Sequence, residues 1–545
     1  MTRYVLVSDL TLMYDYRHFP LLNFLPTAPS SHVPERVYNF LKGKAPPALP
    51  NGEALYAPYS VRKIEAGLLA HVPSADVAVP HPDFIENFIK EDTEVIGVST
   101  MDPLGIGPLT MSYTILFGSD EYPWVRKEWE ALIARLNRAR KGTKAKLVVG
   151  GPGVWEFTVF PDELARLGID YAFQGESEDI IHHLFEQLAQ DRLDSNMFFE
   201  GMMSFDENFR RVYTPNPKFI SRRPRGRNAP SLEEIPLIRR PVVDSLTEVM
   251  RGCGVGCDFC EVTLRPLRYY QPDRVVEEVK VNIDAGFSNA WLHSDEIFAY
   301  QHGPLFKPNE EALVSLFTTV MSVKGVRSAN PTHGRISIPA AYPDLIEKLS
   351  SIMRAGPTNW IGVQVGIETG SDRLAKIHMP NKTLPLRIGS DGSWADIIWQ
   401  GTHNMNRYYW RPAFTVQVGQ SEEIPEDNWD TIALINRMSS SEVDGRPFEF
   451  TVTPMQNVPL GVMRSRKFDK LNMDESQLGV YYASYRHLAR MASRDAYRDS
   501  KGNFLVRLVT GSLISVGGWA MMKVVESIAK KHGVDVDKVK RYGLN

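Results

Sequence analysis

Cysteine is nearly absent: three residues in 545, all inside the eight positions Cys253-Gly-Val-Gly-Cys257-Asp-Phe-Cys260. An odd number of thiols on so short a loop excludes a disulfide framework, because they cannot all pair and the spacing is too cramped for disulfide geometry. An excess of charge of one sign is also missing. The 62 Lys and Arg against 65 Asp and Glu leave a net charge of −3, which excludes a global attraction to nucleic acid or to anionic membranes. No apolar run reaches the roughly 18 residues of a membrane span. The nearest approach, Leu508 to Met522, is broken by Gly511, Gly517 and Gly518 and reads as buried core. The opening MTRYVLVSDL reads as a strand interrupted by Asp9 rather than as a signal peptide, so the expected location is a reducing cytoplasm. The first strand–helix turn also lacks the GxGxxG dinucleotide fingerprint.

What is present begins with the cysteines themselves. Three thiolates on one tight loop suit three irons of a cubane 4Fe-4S cluster and leave the fourth iron open to chelate a small molecule. Zinc requires four ligands; with no further cysteine, His293 or His333 is the alternative source of the fourth. Gly252, Gly254 and Gly256 suit a loop that curls round a cluster, since glycine adopts positive φ at no steric cost.

Along the chain we expect three regions. Residues 1–200 alternate short β-branched runs (Tyr4-Val-Leu-Val, Val95-Ile-Gly-Val, Leu147-Val-Val) with helical patterns such as Val61 to Val72 and one ending near Arg140. That alternation predicts a parallel sheet with helices on both faces and ligands at the C-terminal strand ends. Those ends carry Ser99-Thr-Met-Asp-Pro-Leu-Gly-Ile-Gly-Pro108, Gly150-Gly-Pro-Gly-Val-Trp155 and Gln174-Gly-Glu-Ser-Glu178. Ordinary strand-to-helix turns are the alternative reading of these glycines. Residues 201–231 read as a linker, in which Arg222, Arg223, Arg225 and Arg227 form either a solvated connector or a local phosphate site. Residues 232–445 again alternate strands with helices, among them Val275 to Ala285 and Trp360 to Ile367. Residues 446–545 form a small, mainly helical region that includes Leu478 to Tyr497 and Val516 to Lys530. The aromatic run Tyr408-Tyr-Trp410 either lines the mouth of the second region or lies in its core.

The CxxxCxxC loop is the hallmark of the radical S-adenosylmethionine (SAM) enzymes, and the chain resembles their cobalamin-dependent (class B) methyltransferases. Phe259 matches the aromatic position before the third cysteine; shielding the cluster is its alternative role. Ile361-Gly-Val-Gln-Val-Gly-Ile-Glu368-Thr-Gly-Ser371 is similar to the family's GxExGS strand, and Ser294-Asp-Glu296 stands where relatives have Gly-Gly-Glu. Val416-Gln-Val-Gly-Gln-Ser-Glu-Glu-Ile-Pro-Glu-Asp-Asn-Trp429 stands where relatives often have Gly-x-Pro-Gly-Glu-Thr and resembles a degenerate form of that turn. The resemblance implies an α/β protein: an N-terminal Rossmann-like cobalamin-binding domain, a partial (β/α)₆ radical SAM barrel and a C-terminal helical region that gates the substrate. It implies three cofactors: a 4Fe-4S cluster on Cys253, Cys257 and Cys260, S-adenosylmethionine, and cobalamin as methylcobalamin. SAM contacts fall on Phe259, Ser294, Asp295, Glu296, Ser337 and Glu368, with burial of Glu368 against Arg335 as the structural alternative. Cobalamin contacts fall on Thr100, Met101, Asp102, Leu104, Gly105, Gly150, Gly151, Gly153, Gly175 and Glu176.

The first 200 residues contain no DxHxxG, whose histidine ligates cobalt in one cobalamin class, so bound cobalamin is expected to be base-off with no histidine beneath the metal. Methylthiotransferases need a second cluster, and one methylase class needs paired catalytic cysteines; three cysteines exclude both. The implied reaction is methylation of an unactivated sp³ carbon in a protein, peptide or small molecule, with a one-electron reductant as partner and neither nucleic acid nor membrane. The build resembles archaeal enzymes that methylate a residue of methyl-coenzyme M reductase such as its glutamine. A cobalamin-dependent radical cyclase or oxidative rearrangement enzyme, and a non-catalytic cobalamin or redox sensor, are the competing readings.

Overall fold

The protein is described here from a computed structural model, which covers residues 2–18, 20–117, 121–206, 208, 210–223, 229–458, 460–461, 473–495, 518–519 and 522–544. Residues 508–517 and 520–521 of the apolar run and the arginines at 225 and 227, singled out in the sequence, lie outside the described residues.

The N-terminal half is a seven-stranded sheet in the order β2-β1-β3-β4-β5-β7-β6, formed by β1 (Tyr4–Ser8), β2 (Val77–Ala78), β3 (Val95–Ser99), β4 (Lys146–Gly150), β5 (Tyr171–Gln174), β6 (Phe198–Phe205) and β7 (Arg211–Arg222). All neighbours are parallel except β6 and β7, which form an antiparallel hairpin at one edge. Strand side chains alternate between two apolar cores because successive Cβ atoms point to opposite faces. Val5, Val7, Ile96, Leu147 and Val149 meet Trp129, Leu132, Ile133 and Leu136 of the Trp124–Ala139 helix. Tyr4, Leu6, Val95 and Val148 meet Val61 and Leu68 of the Tyr59–Leu69 helix, and Leu184, Phe185 and Leu188 of the Ile181–Ala189 helix. With both faces covered, β1 reads as an unbroken buried run.

The second half is an arc of six parallel strands: β8 (Leu246–Glu248), β11 (Asn289–His293), β12 (Ser328–Pro331), β13 (Ile361–Glu368), β14 (Trp410–Val418) and β17 (Thr451–Gln456). The bridge His333↔Gln364 joins its two three-stranded pieces. Helices Pro272–Asp284, Glu310–Met321, Pro343–Ile352, Trp394–Arg407, Pro425–Ser439 and Glu475–Asp495 follow the six strands in turn, giving the expected partial (β/α)₆ barrel. Two short antiparallel pairs decorate it: β9 (Met250–Arg251) with β10 (Arg268–Tyr269) beside the cysteine loop, and β15 (Glu442–Val443) with β16 (Arg446–Pro447). Among the described residues, no helix is long and apolar enough to cross a membrane.

Two boundaries differ from the sequence reading. Residues 201–205 and 211–222, read as part of a linker, belong to the sheet: Phe219, Ile220 and Ser221 pair with β5 and are buried. The barrel runs to Gln456 rather than ending at 445, because β17 pairs with β14. Trp410 begins β14 at the N-terminal end of the barrel, fully buried with its indole N–H on Ser350 Oγ at 2.8 Å, while Tyr408 and Tyr409 are half-buried beside it, so the run lies at the end away from the mouth.

The two halves meet along a buried polar seam. The Tyr59 hydroxyl donates to Glu278 Oε2 at 2.7 Å, Lys63 pairs with the same carboxylate, Arg62 Nε donates to the Pro241 carbonyl at 3.1 Å, and Arg240 pairs with Glu53.

Candidate functional site

The cysteine loop leaves β9 at the C-terminal end of the barrel. Its three glycines all take positive φ, +76° at Gly252, +69° at Gly254 and +85° at Gly256, as the loop chemistry requires. At Gly252 a Cβ would also stand 2.6 Å from the Arg265 carbonyl oxygen. Side chains from three barrel positions then tie the loop down. Asp295 Oδ2 accepts from the Gly252 amide at 2.7 Å, and Asn381 Nδ2 donates to the Val255 carbonyl at 3.0 Å. His378 Nδ1 meets Asp258 Oδ2 at 2.9 Å, with its other nitrogen on the Ser421 carbonyl at 2.7 Å.

Cys253 and Cys257 are buried and Cys260 is partly buried. Burial pushes the Cys253 thiol up to about 11 and the Cys257 thiol to about 12, and raises Cys260 as well. The free thiols are therefore neutral, and any metal they bind must displace their protons. Among the described residues no three His, Cys, Asp or Glu side chains are gathered as a single-ion site requires.

Opposite the loop, β13 shifts register between Gly366 and Glu368, and Glu368 takes a left-handed φ of 63°. Such a bulge re-aims a side chain, and a non-glycine residue held there signals a site that over-determines its backbone. Glu368 does not reach Arg335, which pairs instead with Glu296. Its carboxylate accepts from Lys382 Nζ at 2.7 Å and from Gln417 Nε2 at 2.9 Å. Burial works against the Lys382 charge, but the Glu368 carboxylate holds its pKa above the ordinary lysine value. Lys382 lies 6.0 Å from the Phe259 ring centroid, so a buried cation and a carboxylate share the space beside the cysteines.

The remaining predicted barrel positions are committed to neighbours. Ser294 Oγ donates to the His333 carbonyl at 3.3 Å, and Glu296 accepts from the Phe298 amide at 3.0 Å besides its pairing with Arg335. Ser337 Oγ donates to the carbonyls of Lys382 and Leu384, both at 3.0 Å, and thereby positions the lysine.

The C-terminal edge of the N-terminal sheet faces this end of the barrel. Thr100 brackets β3 and β4 by donating to the Gly150 carbonyl from its amide at 2.8 Å and from its hydroxyl at 3.0 Å. Asp102 staples the following loop by accepting from the Gly107 amide at 2.9 Å and from Thr110. The Leu104 amide donates to buried Glu156 Oε2 at 2.6 Å. Burial and the nearby Asp102 raise Glu156 well above the usual carboxyl range.

Gly151 (φ +91°) and Gly153 permit loop-on-loop contact, since added Cβ atoms would lie 2.9 Å from the Thr100 oxygen and 2.6 Å from the Met101 oxygen. Gly105 (φ +69°) packs against Pro123 and Gly175 (φ +111°) against Arg222. Gly150 differs: nothing lies within 4 Å of the position its Cβ would take, and Met101 on the adjoining loop is 49% exposed. The crest between β3 and β4 is therefore open, as a ligand lying across it requires.

Glu176 serves the seam between the halves. Arg251, two residues before Cys253, lies among Glu176 Oε2 at 3.0 Å, Glu178 Oε1 at 2.6 Å and Glu248 Oε1 at 2.7 Å, while Arg268 takes the second oxygen of Glu176 at 2.5 Å. Burial pushes the Glu178 carboxyl up, but Arg251 more than reverses this and holds it at about 2. A second link is covalent. Past β17, Val458 is 3% exposed in the same apolar cluster as Leu104, Met111 and Val154, and Gly461 donates its amide to Glu261 at 3.3 Å. At Gly461 a Cβ would lie 2.8 Å from the Cys260 carbonyl oxygen.

No family model matches the chain, and no curated protein matches its sequence. Solved structures do match its shape. The radical S-adenosylmethionine methyltransferase TsrM from Kitasatospora setae, with cobalamin and a 4Fe-4S cluster bound, aligns over 85% of this chain and 77% of its own at 14% identity and TM-score 0.50. With tryptophan substrate and the SAM analogue aza-SAM bound, TsrM aligns over 97% of this chain and 99% of its own at 14% identity and TM-score 0.51. The chain shares the TsrM fold. The likeness spans both halves, so the pairing of a Rossmann-like sheet with a partial barrel is common to TsrM and this protein.

Arg251, His378, Asn381 and Lys382 were not singled out in the sequence. His378 ends the Asp372–His378 helix that follows the GxExGS-like strand and Lys382 lies just past it, so nearness to that motif was the one signal they carried.

Proposed function

We propose that this protein is a cobalamin-dependent radical SAM methyltransferase acting on an unactivated carbon. The observation that carries the reading is the placement of the CxxxCxxC loop at the mouth of a (β/α)₆ arc, facing the open C-terminal edge of a parallel Rossmann-like sheet. Support comes from the shared fold, since TsrM binds cobalamin, a 4Fe-4S cluster and a SAM analogue. In this reading Cys253, Cys257 and Cys260 hold the cluster, and Lys382 with Glu368 lines the SAM side of it. The loops Thr100–Gly107 and Gly150–Gly153 would hold the corrin. When bound, these groups supply one-electron cleavage of SAM and a transferable methyl group, chemistry that belongs to the cofactors.

The chain's own part is to orient and to exclude water. The hydrogen bonds on Gly252, Val255 and Asp258 fix the cysteine loop, and the ion pairs of Arg251 fix its distance from the sheet, so that three groups are held in one geometry. The substrate suggested by the sequence, a glutamine of methyl-coenzyme M reductase, gains no support from the comparisons. TsrM was solved with a small molecule, tryptophan.

Anaerobic reconstitution with iron, sulfide, SAM and methylcobalamin tests the reading. A methylase yields one 5′-deoxyadenosine and one S-adenosylhomocysteine per turnover and adds 14 mass units to its product. Deoxyadenosine without S-adenosylhomocysteine would point to a cyclase. No SAM cleavage by the reduced protein would point to a sensor.

A further inference from the structure

An apolar chamber of about 220 Å³ lies where the halves meet, between the Pro108–Phe117 helix of the sheet domain, the Glu475–Asp495 helix after the barrel and residues 522–531. Tyr113 and Phe117 line it from the first, Tyr481, Tyr482 and Tyr485 from the second, and Val525 from the third. Among its described lining residues none carries a charge.

The chamber is half open to the surface, and an apolar, aromatic-lined pocket at a domain junction has the character of a ligand site. Its volume identifies the class. An apolar cavity of about 150 Å³ accepts one benzene ring; half as much again corresponds to two fused rings. The walls suit such a ligand, with Tyr113 near-parallel to Tyr485 (centroids 6.4 Å, planes 21°) and to Phe117 (6.1 Å, 28°). Aromatic faces of this kind bind flat rings by offset stacking.

The chamber is also joined to the cysteine site. Tyr481 OH meets Ser112 Oγ at 3.1 Å, and Ser112 Oγ accepts from the Gln456 amide at 2.7 Å. The next residue, Asn457, donates to Gln417 Oε1 at 2.5 Å, and Gln417 holds Glu368, the partner of Lys382.

We propose that this chamber binds a compact, uncharged two-ring aromatic group, any charged part of the same molecule remaining outside it. That the ring belongs to the substrate rests on the function proposed above; that the chamber binds it does not.

Indole is the probe, titrated into the full-length protein with cysteines reduced and no cluster or cobalamin added, and followed by saturation-transfer NMR and calorimetry. Saturable binding with Kd below about 1 mM is expected. Leu116→Trp and, from the opposite wall, Val525→Trp should each weaken it at least tenfold while the variants keep the wild-type circular dichroism spectrum. Absence of saturable binding, or affinity unchanged in a folded wall variant, would overturn the proposal. Because no cofactor is present, a negative result here leaves the methyltransferase reading standing, and failure of SAM cleavage leaves the chamber standing.

Discussion

Glu178→Gln isolates the ionic contact between the two halves. In the native state Glu178 is buried against Arg251 at 2.6 Å, and its pKa is held at about 2 against an ordinary 4.5. At about 1.4 kcal/mol per tenfold change in proton affinity, that difference is worth about 3 kcal/mol at neutral pH. The glutamine keeps the shape and one hydrogen bond, so the loss should be mostly the charge. The sign follows from the depressed pKa: the stabilisation is complete above the unfolded value near 4.5 and disappears as pH falls toward 2. Urea unfolding of the cofactor-free, reduced protein, read by tryptophan fluorescence, should therefore place the variant about 3 kcal/mol below wild type at pH 7. The gap should narrow steadily below pH 4.5. A gap under about 1 kcal/mol at pH 7, or one of the same size at pH 7 and pH 3.5, would refute the claim that this pair holds the halves together through its charge.

Other expectations follow from the same geometry. Cys257→Ala should bind fewer than four irons per chain after reconstitution and lose SAM cleavage, because no other cysteine exists to replace the ligand. Lys382→Met leaves Glu368 buried without its cation, which should cost about 3–5 kcal/mol by thermal or urea unfolding; Lys382→Arg should recover part of it. Gly151→Ala forces a side chain into φ +91° and to within 2.9 Å of the Thr100 backbone. It should destabilise by more than about 1 kcal/mol and weaken cobalamin retention on gel filtration, whereas Gly150→Ala, facing open space, should fold normally.

Local features were the legible ones. The cysteine loop, its left-handed glycines and the strand ends at Ser99 and Gly150 are each set by a few adjacent residues, and the structure has them where periodicity and spacing put them. The β6–β7 hairpin was missed for a physical reason. The first half of β7 is exposed and carries Pro215 and Pro217, so only Phe219 to Ser221 show a buried strand, and an edge hairpin looks like a linker. Ion-pair partners were illegible because they are remote: Arg251 lies 75 residues from Glu176 and 73 from Glu178, and sequence alone does not tell which of many acids will face it. Glu368 shows both limits. The strand motif marked it as a site residue, yet its partner proved to be Lys382, supplied by the turn after the next helix, rather than Arg335.

The crossing at Val458 and Gly461 bears on how the protein matures. One short stretch of backbone is seated in the core of the sheet domain by Val458 and lies against the Cys260 carbonyl at Gly461. Prising the halves apart to admit something as broad as a corrin ring therefore tugs on the loop that carries the thiols. A cluster already in place would stiffen that loop and resist the opening. Under the function proposed above, installation of the cluster and the corrin is expected to be ordered, the broad one entering while the cysteines are still free, and apoprotein given iron and sulfide first should take up cobalamin more slowly than apoprotein given cobalamin first.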